Sequence, residues 1–472
     1  MVFTSHSFVF YFLPLVLAGY ALVPPRQRSL FLTLASYAFY GWWKPWFVLL
    51  MLGSTVVDHR CGAVIASRPV GDPWRLRAVW ISVTANLGLL GFFKYWLFFA
   101  DNTNAALGAL GMEALLPAWN VVLPVGISFY TFQSMSYTID LYRGQAQPAR
   151  SFLDFAAYVS LFPQLVAGPI IRYRDLADQL VSRRHGVDKV AEGLAYFSFG
   201  LAKKVLLANN CGVLADAVFA SEAPPWHLAW VGVLAYALQI YFDFSGYSDM
   251  AIGLGRFFGF RFPQNFDGPY RSKSITEFWR RWHISLSTWL RDYLYIPLGG
   301  NRKGPRRTAL NLAITMLLGG LWHGAEWRFV AWGAFHGGLL AVERWRGKRG
   351  LFASAPAGVQ VASTFGLVLL TWVPFRAASL GDAVAYWGSM FGLRASTLAS
   401  SLVAGEVYDT FGLVVLGAAA LVAWGGRTTR WWVEERQIHR APRLALVVPA
   451  LFVVSLLEMS VQSHNPFLYF QF

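Results

Sequence analysis

The chain has 472 residues, 56% of them hydrophobic and only 14% charged, with a mean hydropathy of +0.42; this excludes an ordinary soluble globular protein. Its 38 Phe, 21 Trp and 20 Tyr residues suit a membrane boundary, where a ring offers an apolar body and a polar edge. The net charge of +15 falls in short breaks between apolar runs, the pattern of cytoplasmic loops, so membrane lipid and not nucleic acid is the expected partner.

A spanning helix needs about 20 residues. Once polar stretches are discounted, the chain has room for roughly ten to twelve crossings, which predicts an all-α polytopic fold with one integral-membrane domain over residues 1–472. The first run, residues 8–23, lacks a basic leader and a small-residue cleavage site and is followed by Pro24, Pro25, Arg26 and Arg28. It predicts a retained helix with its N-terminus outside, in the periplasm. Runs 30–43 and 46–66 turn at Lys44 and Pro45 and end at a loop carrying Arg68, Arg75 and Arg77. Residues 78–99 then cross outward to a stretch with Asp101 and Glu113 but no Lys or Arg before Arg143, and 121–141 return.

From 152 to 173 the apolar run is broken by Pro163, Gly168 and Pro169. Backbone without partners cannot face lipid, so a re-entrant or broken helix buried against others is expected. Further spans are predicted at about 190–210, 228–246, 308–323, 328–342, 359–375, 407–424 and 443–461. The pairs Gly255/Gly259 and Gly333/Gly337 predict close helix approach. Cys61 and Cys211 offer no disulfide framework.

Residues 256–307 hold 11 basic against three acidic side chains, a balance of +8. Within them Ser274 and Glu277 have capping-box form and predict a helix start; Pro297, Gly299 and Gly300 end it. On one helix Arg280, His283, Ser287 and Arg291 share a face, and Phe278, Trp282, Leu286, Trp289 and Tyr293 another. Such an amphipathic helix at the inner membrane surface either anchors the chain on anionic headgroups or forms one wall of a funnel for a phosphate-bearing cytoplasmic substrate such as a coenzyme A thioester.

Residues 308–322 are nearly all apolar and lead into His323. Starting from a cytoplasmic edge at Arg306 and Arg307, 16 residues place His323 roughly 24 Å into a core of about 30 Å. An ionisable group there faces the protein interior or a wet cavity: either a packing histidine, or a general base taking a proton from a hydroxyl. His336 reads as structural. His6, His185, His227, His439 and His464 lie near termini or in polar breaks and are weaker candidates, and His59 diverges from Asp58. Asp243 and Asp249 follow an apolar run, where they orient a histidine, bind a cation or make structural hydrogen bonds at a helix end. No GxSxG, GxxxxGK[ST], HExxH, CxxC or His-x4-Asp motif occurs, so serine-hydrolase, NTPase and metalloprotease chemistry lose support and no metal or bound cofactor is expected.

Four strings carry a family likeness: YFDFSGYSDMAIG from Tyr241, FWRRWHISLS from Phe278, LWHGA from Leu321 and PFLYFQF from Pro466. Together, in this order, they resemble the membrane-bound O-acyltransferase family, in its alginate O-acetyltransferase branch. The resemblance implies a ring of helices around a thin centre pierced by a tunnel, with re-entrant and interfacial helices. It makes His323 the membrane-embedded catalytic histidine and His283 the second, upstream polar position. Acetyl-CoA as the donor, an inner-membrane location, a polysaccharide acceptor and a periplasmic acetyltransferase partner follow from the same resemblance. Arg280 and Arg281 are then expected to bind the donor's phosphates, with Arg302 and Arg306 assisting, and Trp322 and Ser287 are candidates to stabilise the oxyanion. Glu326 stands where a small polar residue is expected. A transporter or flippase is the alternative, against which the lack of an inverted repeat counts.

Overall fold

The computed structural model describes residues 1–166, 168–347 and 350–462; His464 and the PFLYFQF string lie outside them. Regular structure among the described residues is helical, with no strand, as expected where the backbone must satisfy itself in hydrocarbon. Two compact units divide the chain, one of residues 1–193 with 254–263 and one of residues 194–253 with those from 264 onward.

The first unit carries α1 (Ser7–Leu22), α2 (Arg28–Gly41), α3 (Trp46–Ser67), α4 (Pro73–Ala109), α5 (Ile127–Tyr142), α6 (Phe152–Ser160), α7 (Phe162–Leu165) and α8 (Tyr173–Val181). Helix α9 (Val187–Ala202) leads into the second unit. There follow α10 (Asn209–Ala220), α11 (Trp226–Phe257), α12 (Ile275–Arg281), α13 (Ile284–Leu290), α14 (Gly304–His323), α15 (Trp327–Trp345), α16 (Ala357–Arg376), α17 (Leu380–Met390), α18 (Leu398–Val407), α19 (Thr410–Gly425) and α20 (Pro442–Val461). Among the described residues α3, α4, α11, α16 and α20 are long and apolar enough to cross a membrane, and α18 with α19, bent by 66°, form a broken span or a re-entrant loop. Other stretches expected to cross are shorter, as α2 and α5 are, or start on a charged turn, as α14 does at Arg306 and Arg307. The protein is thus an all-α, multi-pass membrane protein.

In the first unit, α3 and α4 meet through buried Asp58, which accepts from Ser82 Oγ at 2.6 Å and Asn86 Nδ2 at 2.9 Å. His59 turns away and packs on Phe152 and Phe155. The interrupted segment expected at 152–173 is present as α6 and α7, broken at Leu161, with Ser36 Oγ accepting the Phe162 N–H at 3.0 Å. Its residues 155–166 are all buried, so its loose backbone meets protein. The pair Gly255/Gly259 is not a helix-packing stripe, because α11 ends at Phe257 and Gly259 lies beyond it at φ +83°.

In the second unit, α14 and α15 form a tight hairpin. A Cβ on Gly333 would strike the Met316 carbonyl and one on Gly337 would crowd Ala313, so this pair acts as the sequence predicts. Helix α11 departs from expectation, running unbroken for 32 residues, where the sequence suggests a span ending near 246. Asp243 and Asp249 are therefore mid-helix, and each meets a lysine. Lys204 Nζ meets Asp243 Oδ1 at 2.7 Å and Lys203 Nζ meets Asp249 Oδ2 at 2.6 Å; Thr429 Oγ1 also donates to Asp249 at 2.6 Å. Both lysines sit on a π-helical stretch, Lys203–Ala208.

Candidate active site

The site is built on residues 264–290 and the end of α14. Ser274 Oγ accepts the Glu277 N–H at 3.0 Å, and Glu277 reaches back to the Lys273 N–H at 2.9 Å. The buried carboxylate of Glu343 on α15 adds a cap: it accepts from the Ile275 and Thr276 N–H groups at 2.8 and 2.9 Å and from Thr276 Oγ1 at 2.7 Å. A negative charge at a helix N-terminus satisfies otherwise unpaired donors.

The single amphipathic helix expected here is not formed. Helix α12 stops at Arg281, Trp282 is extended, and His283 is left-handed at φ 43°, ψ 55° before α13 begins. Hydrogen bonds to residues 265–267 hold this turn on both sides. Asp267 N–H donates to the Arg281 carbonyl at 3.0 Å and Ile284 N–H to the Asn265 carbonyl at 2.9 Å. Asn265 Oδ1 accepts from Ser285 N–H at 3.1 Å and Ser285 Oγ at 2.8 Å. For a non-glycine residue the left-handed region costs about 1–2 kcal/mol, so the clamp holds His283 in a conformation it would not choose alone.

Helical spacing therefore does not unite the predicted residues. Arg280 is exposed. Arg281 pairs with Glu277 at 2.8 Å and donates to the Asp267 carbonyl at 3.2 Å. Ser287 Oγ donates to the Trp282 carbonyl at 3.3 Å. Arg302 and Arg306 are exposed. His283 alone of this set goes fully inside, at 0% exposure, alongside buried Phe278, Trp282 and Leu286, so the turn at His283 is embedded in protein while Arg280 stays exposed.

His323, the last residue of α14, is 8% exposed. Its ring contacts Trp322, Trp332 and Phe375 at centroid distances of 5.0, 5.2 and 5.2 Å. The His283 ring lies edge-on to Phe244 at 4.6 Å and 5.9 Å from Trp322. Trp322 thus touches both imidazoles. Neither ring nitrogen of His283 has a hydrogen-bond partner among the described residues, nor does Asn265 Nδ2. His336 differs: Trp279 Nε1 donates to its Nδ1 at 3.2 Å and Trp332 covers it at 4.8 Å. Glu326 is taken by Arg328 at 2.6 Å, which also donates to the Phe375 and Ala377 carbonyls, so its charge is balanced locally.

Sequence reasoning misses Asn265, Glu343 and the Phe244, Trp332 and Phe375 walls. The string PQNFDGPY around Asn265 carries the one available signal, two prolines and a glycine that mark a non-helical turn.

Two histidines against one tryptophan, one of them with no partner at either nitrogen among the described residues, in an aromatic enclosure of a multi-pass helical protein suit proton transfer to and from an acyl-transfer centre. The chain belongs to the membrane-bound O-acyltransferase family, whose sequence model matches residues 149–348 and so includes both histidines. It is an O-acyltransferase of the alginate O-acetyltransferase-like branch. It is 45% identical to the probable alginate O-acetylase AlgI of Pseudomonas putida and 44% identical to that of Azotobacter vinelandii, with 100% of each chain covered. With the peptidoglycan O-acetyltransferase of Helicobacter pylori it shares 37% identity over 84% of this chain and 81% of the relative.

Proposed function

We propose that this enzyme takes acetyl from acetyl-CoA at the cytoplasmic face of the bacterial inner membrane and delivers it outward for O-acetylation of an extracytoplasmic polysaccharide such as alginate. The N-terminus lies in the periplasm, and a periplasmic acetyltransferase receives the acetyl group. One observation carries this reading: end-to-end similarity, at 45% identity, to a protein named as a probable alginate O-acetylase.

In this mechanism His323 takes the proton of an acceptor hydroxyl as its oxygen attacks the thioester carbonyl. His283, whose ring nitrogens have no partner among the described residues, gives an N–H to the carbonyl oxygen or orients the thioester. Collapse of the tetrahedral intermediate breaks the C–S bond, and the proton held by His323 passes to the departing thiolate. Water is the competing acceptor, and the wall of Trp322, Trp332 and Phe375 around His323 limits its access. Exposed Arg280 attracts the donor's phosphates, with Arg281, held by Glu277, adding less.

Proteoliposomes loaded with labelled acetyl-CoA test this. Label should reach polysaccharide efficiently only when an extracytoplasmic partner is added. Efficient acetylation without a partner overturns the division of labour, and absence of any label transfer overturns the donor.

A further inference from the structure

The first unit carries a cation cluster that acyl transfer does not use. Arg28, opening α2, lays its guanidinium over the Tyr20 ring, 5.0 Å from the centroid. Arg183, just beyond α8, does the same over Phe260 at 4.7 Å. The Tyr20 hydroxyl donates to the Phe258 carbonyl at 3.1 Å and lies 3.4 Å from His185 Nε2. A Cβ on Gly259 would come within 2.8 Å of the His185 ring, so glycine permits this approach. Lys189 Nζ donates to the Gly259 carbonyl at 3.0 Å.

Rings hold both guanidinium groups in place, and one nitrogen of each is left over. Arg28 Nε and Arg183 Nη1 are buried, and neither has a hydrogen-bond partner among the described residues. Leaving a cationic N–H buried without an acceptor is costly. Like charges are also crowded together: burial first, then Arg28, Arg183 and Lys189, hold the His185 imidazole below its ordinary pKa. The nearby carboxylates offset this charge from a distance while their hydrogen bonds and ion pairs go elsewhere: Asp154 accepts from Ser151 at 3.0 Å and Glu192 pairs with Arg256 at 3.2 Å. Beside the cluster, α1 and α2 expose Leu15, Leu22, Leu30 and Leu34, an apolar flank along which acyl chains fit.

We propose that Arg28 and Arg183, supported by Tyr20 and His185, form a binding site for a phosphate ester, with the two guanidinium forks holding its oxygens. Guanidinium matches tetrahedral oxyanions through paired, charge-assisted hydrogen bonds. The phosphate comes from an anionic phospholipid headgroup or from a soluble phosphate ester. In the proposed orientation both sources lie on the cytoplasmic side.

The test uses the full chain in detergent. Native mass spectrometry reads retention of phosphatidylglycerol against phosphatidylcholine, and thermal shift reads inorganic phosphate against chloride at equal ionic strength, each for wild type and Arg28→Gln/Arg183→Gln. The wild type should favour phosphatidylglycerol about fivefold or more, and the variant should lose that preference. A phosphate-dependent thermal shift lost in the variant, without a lipid preference, assigns the site to a soluble ester. Equal lipid retention and equal phosphate response in wild type and variant overturn the site. Should the double variant fail to fold, Arg183→Gln alone, in a loop beyond α8, is read by the same measurements and the same outcomes.

Discussion

The second unit buries charged and titratable groups in two contrasting ways. Along α11 every carboxylate is answered: Lys204 and Asp243, each with a side chain 1% exposed, pair at 2.7 Å, and Lys203, Asp249 and Thr429 close a second set. At the turn between α12 and α13 the opposite holds. The surrounding backbone is clamped by Asn265, yet the His283 ring keeps both nitrogens without a partner among the described residues. Both regions bury titratable groups; the carboxylates of α11 meet counter-charges, and the His283 ring meets no hydrogen-bond partner among the described residues. Paired groups hold helices together, whereas an imidazole held in a strained conformation by its neighbours, with neither nitrogen partnered among the described residues, is available to a reactant.

The largest effect that sharpens this contrast is expected at His323. His323→Ala should lower acetyl transfer by about 10²–10⁴-fold, the usual worth of a positioned general base, while the purified protein stays monodisperse. More than about a tenth of wild-type rate would remove His323 from the mechanism. His283→Ala should impair transfer less, and unchanged kinetics would return its turn to a structural role.

The paired region should answer in stability and not in chemistry. Lys204→Met leaves Asp243 buried without its counter-charge, so a loss of about 3–5 kcal/mol is expected. The double variant Lys204→Met/Asp243→Leu should recover most of it, because an apolar pair of similar volume fills the same space. Thermal unfolding in detergent checks this. If the double variant is no better than the single, the seam does more than hold α11.

Much of this architecture is legible in local sequence and some is not, and the dividing line is distance along the chain. Hydropathy marks the five long apolar helices but overstates the number of crossings, since other apolar runs fold as shorter or charge-flanked helices, and Pro163, Gly168 and Pro169 mark the broken segment at 152–173, a signal that acts within a few residues. Gly333 and Gly337 announce the α14–α15 contact because their spacing is itself the packing feature. The left-handed His283 is not announced: it depends on Asn265, 20 residues before Ser285, and FWRRWHISLS read alone continues a helix. Likewise Asp243 and Asp249 look like a helix end until Lys203 and Lys204 are placed beside them, and the cap from Glu343 comes from 68 residues away.

Asn265 makes the comparison finer, because it has one spent and one unspent side-chain atom. Asn265→Ala removes the acceptor for Ser285 and loosens the turn that carries His283, which should cost about tenfold in kcat with little change in KM, the worth of one or two buried hydrogen bonds. Asn265→Asp keeps the acceptor Oδ1 and loses the Nδ2 donor. Near-normal kcat in the Asp variant would make Asn265 a positioning residue only; a loss equal to that of Ala would mean that its N–H reaches the reacting carbonyl.

The smallest effect is expected where charge is exposed. Arg280 and Arg281 are neighbours in sequence but differ in what they touch: Arg280 stands exposed, whereas Arg281 is committed to Glu277 and the Asp267 carbonyl. If Arg280 draws the donor's phosphates, Arg280→Glu should raise the apparent KM for acetyl-CoA by about two- to fivefold at low ionic strength, through longer-range attraction. The effect should fade in about 0.5 M salt as the Debye length shortens. Arg281→Glu should instead lower thermal stability slightly, since it opposes Glu277 and loses the Asp267 contact, and its KM change should be the lesser. A salt-independent fall in kcat for Arg280→Glu, or a larger KM effect at Arg281, would move donor capture from the exposed arginine to the bound one.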